Sequence, residues 1–209
     1  MKLLIFGATG GTGNELVRQA LEQGHTVTAF IRNPTKLDRS HANLYVVQGD
    51  VMDFVAVTQA MYGQDVVLSA LGAPPSNQDM VRTNGTRMVI RAMEQAGIRR
   101  FICQSSLGFA DSRNMLPLHM KYVVVPLILR HAFADHEAQE QLIKQSQLEW
   151  IIVRSGTLTD NGFTGTYRHG FDFTDTILTL KISRTDTADF MLKQVTDTMY
   201  LYKTVGLSY

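Results

Sequence analysis

The segment that most constrains the fold is the first thirteen residues. Leu3 to Phe6 is an apolar run of strand length, and it passes straight into Gly7-Ala8-Thr9-Gly10-Gly11-Thr12-Gly13. Behind the glycines, Leu16, Val17, Ala20 and Leu21 recur at helical spacing. Gly24 is placed to end that helix, and Thr26 to Ile31 reads as a second strand. Strand, glycine loop, helix and strand make a βαβ unit. Such glycines let the backbone approach a pyrophosphate, and the helix N-terminus offers free N–H donors and a positive dipole end. The unit predicts a dinucleotide site. Its spacing is G-x-x-G-x-x-G with Gly11 extra, one residue away from G-x-G-x-x-G, so the flanking strand and helix carry the assignment. The competing reading is a glycine turn in an unrelated α/β protein.

The end of the second strand decides which dinucleotide. NAD sites place an acid there to bond the ribose 2′-hydroxyl. Here the strand runs into Phe30-Ile31-Arg32-Asn33-Pro34, with Lys36 close behind and no acid. A guanidinium binds a 2′-phosphate in two-pronged fashion, so Arg32 and Lys36 predict NADP (NADPH) as the cofactor. Otherwise Arg32 is a solvated loop cation.

Composition narrows the partners. The net charge of +1 gives no bulk electrostatic case for nucleic acid or an acidic membrane. The opening apolar run is too short for a signal peptide, and Val123 to Leu129 is far short of a membrane span. The expectation is a cytoplasmic protein, monomer or weak homodimer, acting on a small molecule. Cys103 is the sole cysteine and sits in an apolar run, which predicts a buried, inert thiol. The histidines form no metal-ligand spacing: His131 and His136 are five apart and share no helix face, so no metal site is expected. His136 reads as structural, and His119 and His169 fall in segments that could border a substrate.

Strands and helices alternate along the chain. Further strands are predicted at Asn43–Gln48, Asp65–Ala70, Arg100–Gln104, Glu149–Val153 and Ile177–Ile182, and helices at Phe54–Met61 and Asp79–Ala96. Residues 115–147 read as two helical pieces broken at Pro126, residues 160–175 as loops with short strands. Ala188, Met191, Leu192 and Val195 mark a last helix, capped by Ser183 or Thr185. The fold expected is a Rossmann-like α/β domain over residues 1–209. It has a doubly wound parallel sheet in three α/β/α layers, with substrate-side loops at about 107–120 and 157–175. Ligands bind such sheets at the carboxyl ends of the strands. That gathers Gly7, Thr9, Gly10, Gly11, Thr12, Gly13, Arg32, Lys36, Asp50 and Val51 at one cleft, with Asp50-Val51 where an adenine would lie. Ala70, Leu71, Gly72, Ser105, Ser106, Ser155, Gly156 and Thr157 complete the predicted cofactor site.

A family resemblance rests on an ordered set of segments: the glycine loop, Arg32-Asn33-Pro34, Gly49-Asp50-Val51, Asp135-His136, Ile152 to Asp160, and Ile182 to Ala188. The chain resembles the atypical, NmrA-like group of short-chain dehydrogenase/reductases, and within it the biliverdin-IXβ reductases, also called flavin reductases. The resemblance implies NADPH-dependent reduction of a flavin or a linear tetrapyrrole, with Ser105 beside the nicotinamide as the candidate catalytic residue. Two departures matter. Those reductases carry a histidine where this chain has Thr157, and most relatives write Arg-Pro-Gly where Arg154-Ser155-Gly156 stands here.

The Tyr-x-x-x-Lys pair of alcohol dehydrogenases is also missing, since Pro126 stands four residues after Tyr122. Alcohol oxidation therefore lacks its usual base, whereas hydride transfer to a planar acceptor needs none. The alternatives are a non-catalytic NADP(H) sensor and a quinone or enal reductase on the same scaffold. Ser105 has a bland alternative too, a hydroxyl satisfying loop backbone at a strand end.

Overall fold

A computed structural model describes every residue except Asp38, Pro75 and Thr176. The first half alternates strand and helix except between β2 and β3: β1 (Lys2–Phe6), α1 (Gly11–Glu22), β2 (Thr26–Ile31), β3 (Leu44–Gln48), α2 (Phe54–Ala60), β4 (Val66–Ser69), α3 (Val81–Ala96) and β5 (Arg100–Ser106). The second half holds α4 (Arg130–Gln145), β6 (Glu149–Ser155), β7 (Thr157–Thr159), β8 (Arg168–His169), β9 (Lys181–Ser183), α5 (Arg184–Lys193) and β10 (Lys203–Ser208). The main sheet runs β3-β2-β1-β4-β5-β6-β10-β8, parallel throughout except for β8, while β7 and β9 pair separately. The doubly wound Rossmann-like fold expected from the alternation is the one observed. Strand order reverses between β1 and β4, and the ligand crevice of such a sheet opens there.

Alternation along β1 divides the core. Leu3 and Ile5 face α1 and α5, packing with Leu16, Val17, Met191 and Leu192. Leu4 and Phe6 face the other layer, with Phe30, Val57, Met93 and Phe101. Both faces are covered, which explains why the central strands read as continuous apolar runs. Gly24 and Gly97 follow α1 and α3 with φ of +79° and +72°, the left-handed conformation that ends a helix.

Several boundaries differ from the sequence reading. The two helical pieces meet at Leu129–Arg130, not at Pro126, because Met120–Leu129 is wound as a π-helix that carries the proline inside it. The strand predicted over Ile177–Ile182 is confined to Lys181–Ser183: Leu180 takes a φ of +55°, and Ile177 is exposed. Ser183, not Thr185, caps α5 through the Asp186 N–H at 2.9 Å. The strand β10 was not expected at all. Gly206 interrupts its apolar pattern, and glycine is required there because the Phe171 and Phe173 rings occupy the space of a side chain. The run Leu71-Gly72-Ala73-Pro74-Pro75, whose prolines cannot continue a ladder, follows β4 in the sequence, and its Pro75 lies outside the described residues.

Candidate functional site

The carboxyl ends of β1, β2, β4, β5 and β6 border a cleft of about 940 Å³. Of the predicted cofactor residues, Gly7, Thr9, Gly10, Gly11, Thr12, Arg32, Lys36, Asp50, Val51, Ala70, Leu71, Gly72, Ser105, Ser106, Ser155, Gly156 and Thr157 line it. Gly13 does not. It is buried beneath the loop, where a Cβ would overlap the Gly7 carbonyl, so its part is to let α1 pack against the loop. Gly7 has a φ of +76°, and a Cβ on it would overlap the Ala70 carbonyl at the end of β4. These two close approaches bring the start of α1 to the mouth of the cleft. The loop so formed is a backbone cradle in front of a helix N-terminus, which fits the diphosphate of a dinucleotide.

One end of the cleft is built from β2 and the turn after it. Asn33 Oδ1 accepts from the Thr35 N–H at 3.1 Å and fixes the turn Pro34–Lys36. That turn holds Arg32 and Lys36 on the same rim of the cleft. After the neighbouring strand β3, Asp50 Oδ1 accepts from the Met52 N–H at 2.9 Å, setting the turn before α2.

Below the end of β5 lies a buried network of charged side chains. Ser105, buried, donates to Glu140 Oε1 at 2.8 Å, and its oxygen lies 3.4 Å from His136 Nδ1. Arg154 donates to both Glu140 oxygens, Nε to Oε1 at 2.8 Å and Nη2 to Oε2 at 2.7 Å. Its remaining nitrogen pairs with Asp111, and its guanidinium lies over the Phe109 and Phe173 rings. Lys144 closes the set from the surface, 3.1 Å from Glu140 Oε2. One helix turn earlier, Asp135 caps α3 by accepting from the Arg82 and Thr83 N–H groups, and pairs with the Arg82 guanidinium at 3.3 Å. Burial, and next the Arg82 charge, push the His136 imidazole down to about 3, so it is neutral near pH 7.

Sequence reasoning missed several of these groups. His136 read as structural, yet it lines the cleft. Arg82, Leu129 and Arg184 also line it, whereas none of residues 107–120 does among the described residues. Asp111, Asn114 and Met115 of that segment instead wall a separate cavity of about 620 Å³ with Asp172, Phe173, Leu178 and Leu180. Tyr122 is exposed and does not line the cleft, and His169 sits on β8, bonded to the Tyr200 hydroxyl at 2.8 Å. Cys103 is fully buried, and burial raises its thiol to about 12, which makes it inert. Among the described residues no cluster of three His, Cys, Asp or Glu side chains is placed to share a metal ion, and no helix is long and apolar enough to cross a membrane.

Relatives and solved structures resemble the chain over most of its length. It is 32% identical over 187 residues to the 3-diazoavenalumate denitrifying reductase of a Streptomyces species, covering 81% of this chain and 60% of that protein. It is 28% identical over 158 residues to the photosystem II assembly factor Ycf39 of Synechocystis, covering 74% of this chain and 44% of that one. The chain thus spans about half the length of these two relatives. ChuY, an anaerobillin reductase from Escherichia coli O157:H7, superposes with a TM-score of 0.78 at 26% identity, over 99% of this chain and 96% of ChuY. A short-chain dehydrogenase/reductase of Veillonella parvula, solved with NADP, shares the fold with a TM-score of 0.79 at 19% identity, over 100% of this chain and 94% of that one. A family profile described as NAD(P)H-binding matches residues 7–198. With the glycine cradle, the reversal between β1 and β4 and the cleft above them, that match shows that the chain belongs to the NAD(P)H-binding family of Rossmann-like, oxidoreductase-type domains.

Proposed function

We propose that the protein is an NADPH-dependent reductase that passes a hydride to a flat conjugated acceptor, a flavin or a linear tetrapyrrole. The observation that carries this reading is the cleft floor. Ser105 stands at the end of β5 without a Tyr–Lys pair beside it, and the neutral His136 is too weak a base to take an alcohol proton. Reduction of a planar acceptor needs no such base. The reductase activities named for the Streptomyces relative and for ChuY support the same class of chemistry.

In this reading the Gly7–Thr12 loop holds the diphosphate, Arg32 and Lys36 hold the 2′-phosphate, and Asp50 and Val51 border the adenine. Ser106, Ser155, Gly156 and Thr157 lie beside the nicotinamide. The bound cofactor supplies the hydride, and water supplies the proton that completes the two-electron reduction. Ser105 orients the acceptor through its hydroxyl, which Glu140 holds in place. Leu129 and Arg82 also line the cleft, the first apolar and the second a guanidinium paired with Asp135. Positioning of this kind accounts for several kcal/mol of barrier, up to roughly ten for well-aligned partners.

The test is consumption of NADPH in the presence of FMN, riboflavin and biliverdin, with oxygen excluded. Turnover with at least one of them, reduced about tenfold or more in Ser105→Ala with cofactor affinity unchanged, is the expected result. A protein that binds NADPH but reduces none of these acceptors, nor a quinone, is a sensor and not an enzyme.

A further inference from the structure

We propose that Arg184 is a clamp on the cofactor diphosphate, held ready over the glycine loop by Asp160. The proposal rests on the NAD(P)H-binding half of the reading above and does not depend on the acceptor. It starts from Gly11, the extra glycine that the dinucleotide motif does not call for. Gly11 is exposed, is the first residue of α1, and its φ is not in the left-handed region, so backbone conformation does not demand glycine there. What glycine leaves there is room for Arg184: a Cβ on Gly11 would meet Cδ and Nε of that flexible side chain, with Cζ 3.5 Å away, so Arg184 packs directly over the loop. The arginine side chain lies flat across the residue whose neighbours offer the helix N–H donors.

The backbone beneath Arg184 is rigid. Ser183 caps α5, its own N–H donates to the Tyr209 hydroxyl at 3.1 Å, and Gln19 Nε2 of α1 donates to the Thr185 carbonyl at 2.9 Å. α5 therefore carries its first residue against α1 in a fixed register. That first residue is a cation at the positive end of a helix dipole, an unfavourable place unless an anion sits there. Asp186 is the acid of that first turn, but it is taken up by Tyr209, Thr164 and Gly165, and the partner of Arg184 Nη1 is Asp160 at 2.6 Å, a carboxylate 89% exposed. An exposed ion pair is weak and easily exchanged. A diphosphate in the loop offers more charge and a two-pronged fit to the guanidinium, so Arg184 moves from Asp160 to the phosphates. Arg32 sits at the end of β2, at the ribose, so the two arginines read different phosphates of one cofactor.

Calorimetric titration of the intact chain with NADP and with NAD tests this. Arg184→Ala is expected to weaken both cofactors by the same factor, about ten- to a hundredfold. Asp160→Asn, on an exposed side chain that does not endanger folding, is expected to tighten both by about two- to fivefold. Arg184→Lys recovers only part of the loss, because it lacks the fork. A loss confined to NADP would make Arg184 a 2′-phosphate ligand and overturn the proposal. So would affinities unchanged by both Arg184→Ala and Asp160→Asn. Cofactor binding without reduction of any acceptor would overturn the reductase reading, while the same titrations still decide the clamp.

Discussion

Ser105 and Arg154 share one oxygen: the Ser105 hydroxyl and Arg154 Nε each donate to Glu140 Oε1 at 2.8 Å. The residue at the cleft floor is thereby tied to a buried ion pair that also holds Asp111. Removing one charge leaves the other without a partner in the interior. Glu140→Gln is expected to cost about 3 kcal/mol or more of stability, read from denaturant unfolding. Arg154→Met with Glu140→Gln is expected to recover much of it. A double variant no more stable than the single one would show that the pair is not the source of the loss.

His136 sets a pH dependence. Burial and Arg82 hold its imidazole at about 3, against an ordinary value of 6.5. Between these values the unfolded chain binds a proton that the folded chain does not. Stability from this group is therefore complete above about pH 6.5 and declines as pH falls towards 3, by about 1–2 kcal/mol at pH 5. His136→Gln is expected to remove that part of the slope. Unfolding curves for the two proteins that stay parallel from pH 7 to about pH 5 would contradict it.

Gly7 gives the sharpest backbone prediction. Its φ of +76° and the Ala70 carbonyl against it exclude any side chain. Gly7→Ala is expected to cost on the order of 2 kcal/mol or more and to abolish cofactor binding, since β1 and β4 must part to admit a methyl group. Thermal unfolding and calorimetry together check it.

In the proposed reading Arg32 sets the cofactor choice. Arg32→Asp is expected to weaken NADP binding by about 1–3 kcal/mol, the scale of charge-assisted bonds, with NAD affected far less. Equal losses for both cofactors would remove the 2′-phosphate role.

Much of this was legible in the sequence because it is local. The glycine loop, β2 and the helix-ending glycines announce themselves within a few residues, and apolar runs mark strands buried on both faces. What was not legible depends on chain segments meeting from afar. Arg184 and Gly11 are far apart in sequence, and nothing local says that one lies on the other. His136 reaches the cleft only because Asp135 fastens α4 to the start of α3. The strand β10 was hidden by Gly206, whose lack of a side chain serves two phenylalanines rather than a turn. Leu129 escaped notice as a cleft residue because it ends a π-helix, a winding that leaves no periodic signature.

The central claim is that NADPH held at the glycine loop reduces a flat acceptor resting near Ser105. Rapid mixing of the NADPH-loaded protein with FMN or biliverdin in the absence of oxygen, using NADPH deuterated at nicotinamide C4, tests it most directly. The account predicts acceptor reduction within a single turnover, slowed by deuterium and slowed further in Ser105→Ala. Bound NADPH that stays unoxidised with every acceptor would contradict it.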